Sequence, residues 1–442
     1  MDSALLTQSY SEHLARLEHS YGEVLTQNGL DAIVIHSGSP KLRSAFDDQY
    51  WPLRVTPHFQ HWLPLTAADC ALVVRAGHRP KLVWLKEQNF WEKPPALEHD
   101  IWQSGFEIVH VGHRAEAQQY LPKTRVAFVG EDAQCAAEWG FNQADFTPKP
   151  LLTQLDALRV RKTAYEELCL AEANRRAAVG HTALAHAFKS GDASELDLHL
   201  AYLRATAQDD PQTPYKNIVA LGANAATLHH ISYGRTAPAG PAQSLLVDAG
   251  ASFLGYCSDI TRTYAKGNTA AASTFAGLVA GVERLQQQLC RDISIDAPYE
   301  ALHDRSHAYV AEVLRETGVL KLSAEEAVAS GVTRSFFPHG LGHSLGLQCH
   351  DVGCASLKPR ADNPFLRNTS NIAERQCFTI EPGIYFIDSF METLQAGPHA
   401  PNIDWRLVSE LSKLGGVRIE DDIVVVGGSS VTRNLTRQFL PA

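Results

Sequence analysis

The chain has 442 residues, 45% of them hydrophobic and 20% charged, with a formal net charge of -10. That length and apolar content exclude a disordered chain and leave room for two domains, each with its own core. A negative balance without clustered Lys and Arg excludes a nucleic-acid surface, and no run of about eighteen apolar residues is there to span a bilayer.

The N-terminal segment MDSALLTQSYSEHLARLEHSYGEVL has acids at Asp2 and Glu12 and no continuous apolar stretch, so it reads as an amphipathic helix and not as a secretory leader. Strand-like runs follow at Ala32 (AIVIHSG), Cys70 (CALVVRAG), Lys81 (KLVWLK) and Arg125 (RVAFVGED), with helical patterning around them. Residues 1–155 therefore read as a small α/β domain and residues 156–442 as a second, larger one. The boundary is placed where a long helical pattern, LDALRVRKTAYEELCLAEANRRAAVGHTALAHAF, begins. Ser194 and Asp197 then have the form of an N-cap pair opening ELDLHLAYLRATAQ.

From Tyr215 onward strands dominate: NIVALG, SLLVDAG, SDITRTYAKG, CFTIEPGIYFI and GVRIEDDIVVVGG, interrupted by a helical stretch from Thr274 to Thr317. This order predicts an α+β fold, a mostly antiparallel sheet with helices on one face. The eight cysteines show no C-x-x-C pair and no disulfide rhythm, the usage of a reducing, cytoplasmic compartment. Cys349 and Cys354 lie near histidines and are weighed as zinc ligands against the commoner role of free cysteine as a small buried hydrophobe.

Asp248 and Asp259 lie in two strand-like runs around the turn ASFLGY. A hairpin centred on Phe253 and Leu254 sets them directly opposite, about 5 Å apart on one face. Two like charges so placed repel unless one is protonated or a cation lies between them. A solvated hairpin with two surface acids explains that pair equally well. Glu381 in FTIEPG and Glu420 in GVRIED tip the balance, because an ionised acid amid an apolar strand is costly unless paired or metal-bound. Arg418 shares the face of Glu420 by the two-residue period of a strand. Four acids and a histidine suit a pair of divalent ions such as manganese, cobalt or zinc, and two dications balance four carboxylates.

The stretch FFPHGLGHSLGLQCHDVG contains Gly342-His343-Ser344-Leu345-Gly346, which fits the G-x-S-x-G of a serine hydrolase, together with His339, His343 and His350. A nucleophile elbow needs a buried strand leading in and a helix leading out. Pro338 and Gly340 break that approach, and a triad of Ser344, Asp351 and His399 leaves too little chain to complete such a sheet.

The blocks LLVDAGASFLGYCSDITRTY, FFPHGLGHSLGLQCHDVG, FTIEPGIYFI and GGVRIEDDIVV closely resemble those of the pita-bread metallopeptidases, and among these the bacterial Xaa-Pro dipeptidases or prolidases. The likeness covers the C-terminal half throughout, and the N-terminal half by length and by FDDQYWPLRVTPHFQHWLPL. It implies a C-terminal pita-bread domain, a curved antiparallel sheet flanked by helices, preceded by a smaller α/β domain that dimerises and caps the pocket. It implies Asp248, Asp259, His343, Glu381 and Glu420 as ligands of two divalent ions per subunit, manganese foremost, with cobalt or zinc as alternatives. Asp248 would chelate one ion, His343 and Glu381 the other, and Asp259 and Glu420 would bridge, so the match of His343-Ser344 to a serine motif is accidental.

The implied reaction is hydrolysis of the peptide bond before a C-terminal proline in Xaa-Pro dipeptides, by a hydroxide shared between the ions. Glu381, His350, His229 and Arg418 form the implied catalytic set. Glu381 would carry a proton to the departing proline nitrogen, and His350 and His229 would hydrogen-bond the tetrahedral species. Arg418 would orient a bridging carboxylate from behind. His339, Tyr215, Leu228, Tyr299 and Leu366 are the substrate-pocket candidates, while His230 has no such support.

One departure stands out. Relatives carry Leu-Arg-x-Thr-Arg where this chain reads Leu366-Arg367-Asn368-Thr369-Ser370, so an arginine for the substrate's C-terminal carboxylate is missing at 370. The resemblance further implies a small peptide as partner, no nucleic acid, no membrane, and a homodimer in which Asp47 and Asp48 of FDDQYW meet the substrate amine, with a plain Asx-type turn as the alternative. Rival readings are an aminopeptidase P acting on longer peptides and a relative hydrolysing organophosphorus esters. Noncatalytic or metal-free pita-bread proteins lack the carboxylate set present here.

Overall fold

A computed structural model of the protein describes residues 2–86, 91, 100–240, 243–352, 357–428 and 431–441. The described chain forms two compact units, Met1–Leu168 and Cys169–Ala442. Residue 155, the expected boundary, falls inside the helix Lys149–Val160 of the first unit.

In the first unit, Asp2 caps the helix Ser3–Gln27 by accepting from the backbone N–H groups of Ala4 and Leu5. Leu6, Tyr10, Leu14, Leu17, Tyr21 and Val24, three or four apart, make its buried stripe. The strands β1 (Ala32–His36), β2 (Ala71–Val74), β3 (Lys81–Leu85), β4 (Glu107–Val111) and β5 (Val126–Val129) form one sheet in the order β4-β3-β2-β1-β5. It is mixed: β1 runs antiparallel to β2 but parallel to β5, and β3 runs parallel to β4. β4 is the strand that sequence patterning does not reveal. It lies at the sheet edge with Glu107 and His110 exposed, so its apolar run is too short to register.

In the second unit, Ser194 and Asp197 form a reciprocal capping box at the start of the helix Glu195–Thr206. The strands β6 (Ile218–Leu221), β7 (Ser244–Asp248), β8 (Ser252–Phe253), β9 (Tyr256–Cys257), β10 (Thr261–Ala265), β11 (Cys377–Ile380), β12 (Gly383–Tyr385), β13 (Gly416–Arg418), β14 (Asp421–Val425) and β15 (Thr432–Asn434) follow. Their pairings among the described residues are antiparallel. The helical stretch expected from Thr274 to Thr317 is two helices, Ala270–Arg291 and Tyr299–Glu316, the second opened by Pro298, whose ring cannot continue a preceding helix. Phe275, Leu278, Val282, Leu285 and Leu289 share a core with Phe378, Ile380, Ile384, Val417 and Ile423. Each such side chain contributes roughly 1.5–3 kcal/mol by leaving water.

Two runs expected as single strands are each split. CFTIEPGIYFI becomes β11 and β12 with Glu381 and Pro382 at the break, and GVRIEDDIVV becomes β13 and β14 with Ile419 and Glu420 at the break. β11 pairs with β14 while β12 pairs with β13, so both chains change partners at the same level. Pro382 has no N–H to donate, and pairing lapses where it stands. Interruptions of this kind re-aim side chains, and Glu381 and Glu420 are the residues at this seam.

The hairpin from β7 to β10 corrects one expectation. Its turn is centred on Leu254 and Gly255, with φ of 50° and 90°, the left-handed pair that tight hairpins require. Ser252 therefore pairs with Cys257, and Asp248 pairs with Thr261 instead of Asp259. A shift of the turn centre by one residue moves each pairing by two, which keeps Asp259 on the face of Asp248.

Candidate metal centre

Asp248 ends β7, and Thr261, its cross-strand partner, begins β10. Thr261 also ties Glu420 in place: the Glu420 N–H donates to Thr261 O at 3.0 Å, and Thr261 Oγ1 donates to Glu420 Oε2 at 2.6 Å. The segment around His343 runs beside β11 as an added strand. The Leu345 N–H donates to Cys377 O at 3.0 Å, the Thr379 N–H to His343 O at 2.9 Å, and the Glu381 N–H to Leu341 O at 2.9 Å. Gly342 permits this approach, since a Cβ there would stand 2.1 Å from Thr379 O.

These paths converge. His343 Nε2 lies 3.3 Å from Asp259 Oδ2 and 3.6 Å from Glu381 Oε1, and ligand atoms of Asp259, His343 and Glu420 lie within 4.8 Å of one another. The hydroxyl of Tyr215 joins Asp248 Oδ1 at 2.7 Å and Asp259 Oδ1 at 2.5 Å. Asp248, Asp259, His343 and Glu420 are buried, and Glu381 is half-buried.

Four acids thus face Arg418 and, when protonated, His343. Burial pushes Asp248 up, with Arg418 opposing and Asp259 adding to it. Burial and the carboxylates of Asp259, Glu381 and Asp248 push Glu420 well above the usual range. Burial pushes Glu381 up to about 7 against the pull of His343 and Arg418. Asp259 is buried too, but hydrogen bonds from His343, Cys349 and Tyr215 hold it below the ordinary carboxylate value. Burial works against a charge on His343, yet Asp259 and Glu381 push it up to about 9. The pocket is short of positive charge, and an imidazolium partly supplies it. Oxygen and nitrogen donors in this ratio fit two divalent ions.

Around this cluster, Arg418 Nη2 donates to Asp248 Oδ2 at 2.6 Å, Nη1 to Tyr385 OH at 3.0 Å and Nε to Thr261 Oγ1 at 3.1 Å. Its ion pair is therefore with Asp248, not with either acid expected to bridge. His339 is held by Gly340 O and Tyr385 OH, both at 2.8 Å, and burial together with Arg418 lowers it to about 3, so it is neutral. The His350 ring stands edge-on to His343 with centroids 4.3 Å apart; burial and that neighbour lower it to about 4 although part of the side chain is exposed. His229 is exposed and close enough to His339 and His350 to depress the proton affinity of both. His230 instead pairs with Glu195 at 2.8 Å.

Leu366 lines a cavity of about 340 Å³ with His343, Ser344, His350, Arg367 and Thr369. Leu228 is half-buried beside His229. Tyr299 departs from expectation: it is wholly buried, its hydroxyl donates to Thr379 O at 3.0 Å and its ring packs edge-on to Phe378, so it anchors β11 and does not face the cavity. Ser344 Oγ is buried without a hydrogen-bond partner among the described residues, and none of these presents a base to activate it. Asp47 Oδ1 accepts from the Gln49 N–H, which makes the exposed acidic loop an Asx-type turn.

Several contributors are not evident from sequence. Cys349 Sγ donates to Asp259 Oδ2 at 2.9 Å, while Cys354 lies outside the described residues. Asp422 Oδ2 accepts from the Asp259 N–H at 3.1 Å and from Asn174 Nδ2 at 2.8 Å. Asp421, facing the other way, pairs with Arg262 at 2.8 Å and Arg437 at 2.7 Å. The signal was available in Glu420-Asp421-Asp422, three acids in an apolar run whose two-residue alternation puts the first and third on one face.

Residues 8–156 match the family described as Xaa-Pro dipeptidase, N-terminal domain, and residues 169–426 match metallopeptidase family M24. Relatives include the Xaa-Pro dipeptidase of Pseudoalteromonas atlantica, 39% identical over 98% of this chain and 99% of the relative. That of Pseudoalteromonas haloplanktis is 40% identical over 96% and 98%. Among solved structures, Zn-substituted E. coli aminopeptidase P in complex with product aligns with a TM-score of 0.73 at 21% identity, covering 98% of this chain and 95% of that one. Proline aminopeptidase P II from Yersinia pestis aligns with a TM-score of 0.70 at 22% identity, covering 98% and 96%. At such identities the solved structures speak for the fold.

Proposed function

The chain belongs to metallopeptidase family M24, and we propose that it hydrolyses the peptide bond before a C-terminal proline in Xaa-Pro dipeptides, with two divalent ions held by Asp248, Asp259, His343, Glu381 and Glu420. The observation that carries this reading is the gathering of four acids around one imidazole with too little positive charge among them. When bound, the ions supply Lewis acidity toward the scissile carbonyl and bring the pKa of water toward neutrality.

The protein's own groups supply the rest. Glu381 is the least enclosed of the four acids, which suits it to take a proton and pass it to the departing proline nitrogen. His350 and His229 both reach solvent and are the proposed donors to the oxyanion of the tetrahedral species. His339, fixed and neutral, shares the Tyr385 hydroxyl with Arg418. Tyr215 spaces Asp248 and Asp259, while Arg418 balances the charge of Asp248 and aims it. Leu366 offers apolar surface to a proline ring. The cavity of about 340 Å³ beside His343 lies within the range of small-ligand pockets, about 300 to 1,000 Å³.

The reading extends to manganese as the resident metal, a homodimer and a cytoplasmic location. No helix among the described residues is long and apolar enough to cross a membrane. The test is to chelate the purified chain exhaustively, reload it with Mn(II), and assay Gly-Pro, Leu-Pro and a proline-containing tripeptide. The expected result is cleavage of the dipeptides only after reloading, with two ions per chain by elemental analysis. Cleavage of the tripeptide alone transfers the assignment to an aminopeptidase, and turnover by the metal-free chain overturns it.

A further inference from the structure

A second group of metal-capable side chains lies within the first unit. His36 ends β1, Asp69 precedes β2, and Cys135 sits on the helix Ala133–Glu138. His36 Nε2 is 3.6 Å from Cys135 Sγ and 3.4 Å from Asp69 Oδ1, and the three donor atoms lie within 4.8 Å of one another. His36 and Cys135 are wholly buried.

Hydrogen bonding accounts poorly for this arrangement. One ring nitrogen with one proton cannot serve both neighbours, and 3.4 Å exceeds the usual N–H···O range of about 2.7–3.2 Å. A buried polar ring so weakly engaged calls for an explanation.

A shared ion accounts for the distances. Zinc binds thiolate sulfur at about 2.3 Å, imidazole nitrogen at about 2.0–2.1 Å and carboxylate oxygen at about 2.0–2.2 Å; at tetrahedral angles this separates sulfur from nitrogen by about 3.6 Å and nitrogen from oxygen by about 3.4 Å. The surrounding charge points the same way. Ser39 Oγ lies 2.5 Å from Asp69 Oδ1 and 2.6 Å from Asp132 Oδ2, and its single proton can serve only one of these carboxylates. Arg114 stands off both at 3.8 and 3.9 Å and binds Glu138 more closely. Asp132 Oδ1 accepts from the Cys135 N–H at 2.8 Å, which fixes the start of the helix that carries the thiol.

We propose that His36, Asp69 and Cys135 bind one zinc-class divalent ion, a structural site separate from the Asp248–His343 cluster. The ion ties the end of β1, the approach to β2 and the helix Ala133–Glu138 to one point. A thiolate ligand selects zinc or cobalt over manganese or magnesium. Binding releases the Cys135 proton to solvent as the thiolate forms. In the ion-free chain, burial together with Asp69, Asp132 and Glu138 outweighs Arg114 and keeps that thiol protonated, so it is no nucleophile.

The test is to load the chelated full-length chain with Co(II), desalt it, and record the near-ultraviolet sulfur-to-cobalt charge-transfer band. The band is expected in the wild type and in Asp259→Asn, whatever the other cluster holds. It is expected to vanish in Cys135→Ser and persist in Cys349→Ser, with one ion fewer per chain in Cys135→Ser by elemental analysis. A wild type without the band, or a band that survives Cys135→Ser, overturns the proposal. Should Cys135→Ser fail to fold by circular dichroism, Asp69→Asn replaces it. That partly exposed position should lose affinity for the ion at least tenfold, and unchanged affinity there counts equally against the site.

Discussion

Arg418 and Asp248 form a buried ion pair, Nη2 to Oδ2 at 2.6 Å, in which the remaining guanidinium nitrogens are engaged by Tyr385 OH and Thr261 Oγ1. The arginine is thereby a fixed counter-charge and a fixed aim for one acid of the cluster. Arg418→Met removes both functions and leaves Asp248 unpaired in the interior, a loss of about 3–5 kcal/mol by urea unfolding of the metal-free chain. Metal affinity should fall about 10–100-fold by titration calorimetry. Arg418→Lys keeps the charge but not the three-way fork and should land between the two. Wild-type affinity in the Met variant would show that Asp248 needs no such support.

Glu420 offers a test in which binding and stability move in opposite directions. It is buried, and burial plus three neighbouring acids push its proton affinity well above the usual value. Such a group costs stability once the pH exceeds the ordinary carboxylate pKa, because the unfolded chain gives up a proton that the folded one retains. Glu420→Gln keeps an acceptor for Thr261 Oγ1 and removes the charge. Metal content and turnover should drop together, while the metal-free variant should melt at least about 2 °C above the metal-free wild type at pH 8. The difference should shrink toward pH 5. Equal melting temperatures across that range would mean that the acids are balanced without any ion.

Acid sensitivity should come from elsewhere in the second unit. His303 and His307, one turn apart with centroids separated by 5.0 Å, pack against Phe337, and burial lowers them to about 4 and about 3. Neither ring nitrogen of His307 has a partner among the described residues. A histidine with a lowered folded pKa costs nothing above its unfolded value near 6.5. Below it the unfolded chain takes up the proton first, and stability falls with pH until the folded value is reached. Each ring should remove about 2 kcal/mol by pH 5. His307→Leu should therefore stabilise the chelated protein about 2 kcal/mol more at pH 5 than at pH 8 by urea unfolding, and a gain independent of pH would assign the effect to packing alone.

The acids of the candidate centre are legible in sequence because an ionisable group inside an apolar run carries its own cost, and Asp248, Glu381 and Glu420 all announce themselves in that way. Their mutual register is not legible. It depends on whether the turn centres on Leu254-Gly255 or one residue earlier, a choice made by two left-handed φ values that no alternation pattern encodes. Nor do local patterns disclose partners that arrive from far along the chain, such as the Tyr215 hydroxyl between Asp248 and Asp259, the Cys349 thiol on Asp259, or Asn174 behind Asp422. Tyr299 fails as a pocket residue for a similar reason. Its place on a helix stripe is visible in sequence, but whether that stripe faces the cavity or the back of β11 is settled by packing.

Arg367 bears on the arginine missing at 370. It is exposed on the same cavity wall as His343, His350 and Leu366, with no ion-pair partner shown among the described residues, whereas Ser370 contributes no charge and its carbonyl accepts from the Tyr299 N–H at 3.2 Å. Among the described residues lining that wall the permanent cation is Arg367, which makes it the candidate partner of a substrate's terminal carboxylate. A charged hydrogen bond of this kind is worth about 1.5–3 kcal/mol, so Arg367→Met should raise KM for Leu-Pro about 10–100-fold. The carboxylate undergoes no bonding change in the reaction and is held equally in ground and transition states, so kcat should stay near wild type. A C-terminally amidated substrate should not distinguish the two proteins, and the KM contrast on Leu-Pro should narrow as ionic strength rises, because an exposed guanidinium is screened. An unchanged KM in Arg367→Met, with tighter binding in Ser370→Arg, would place the carboxylate clamp at 370 and leave Arg367 as an ordinary solvated charge.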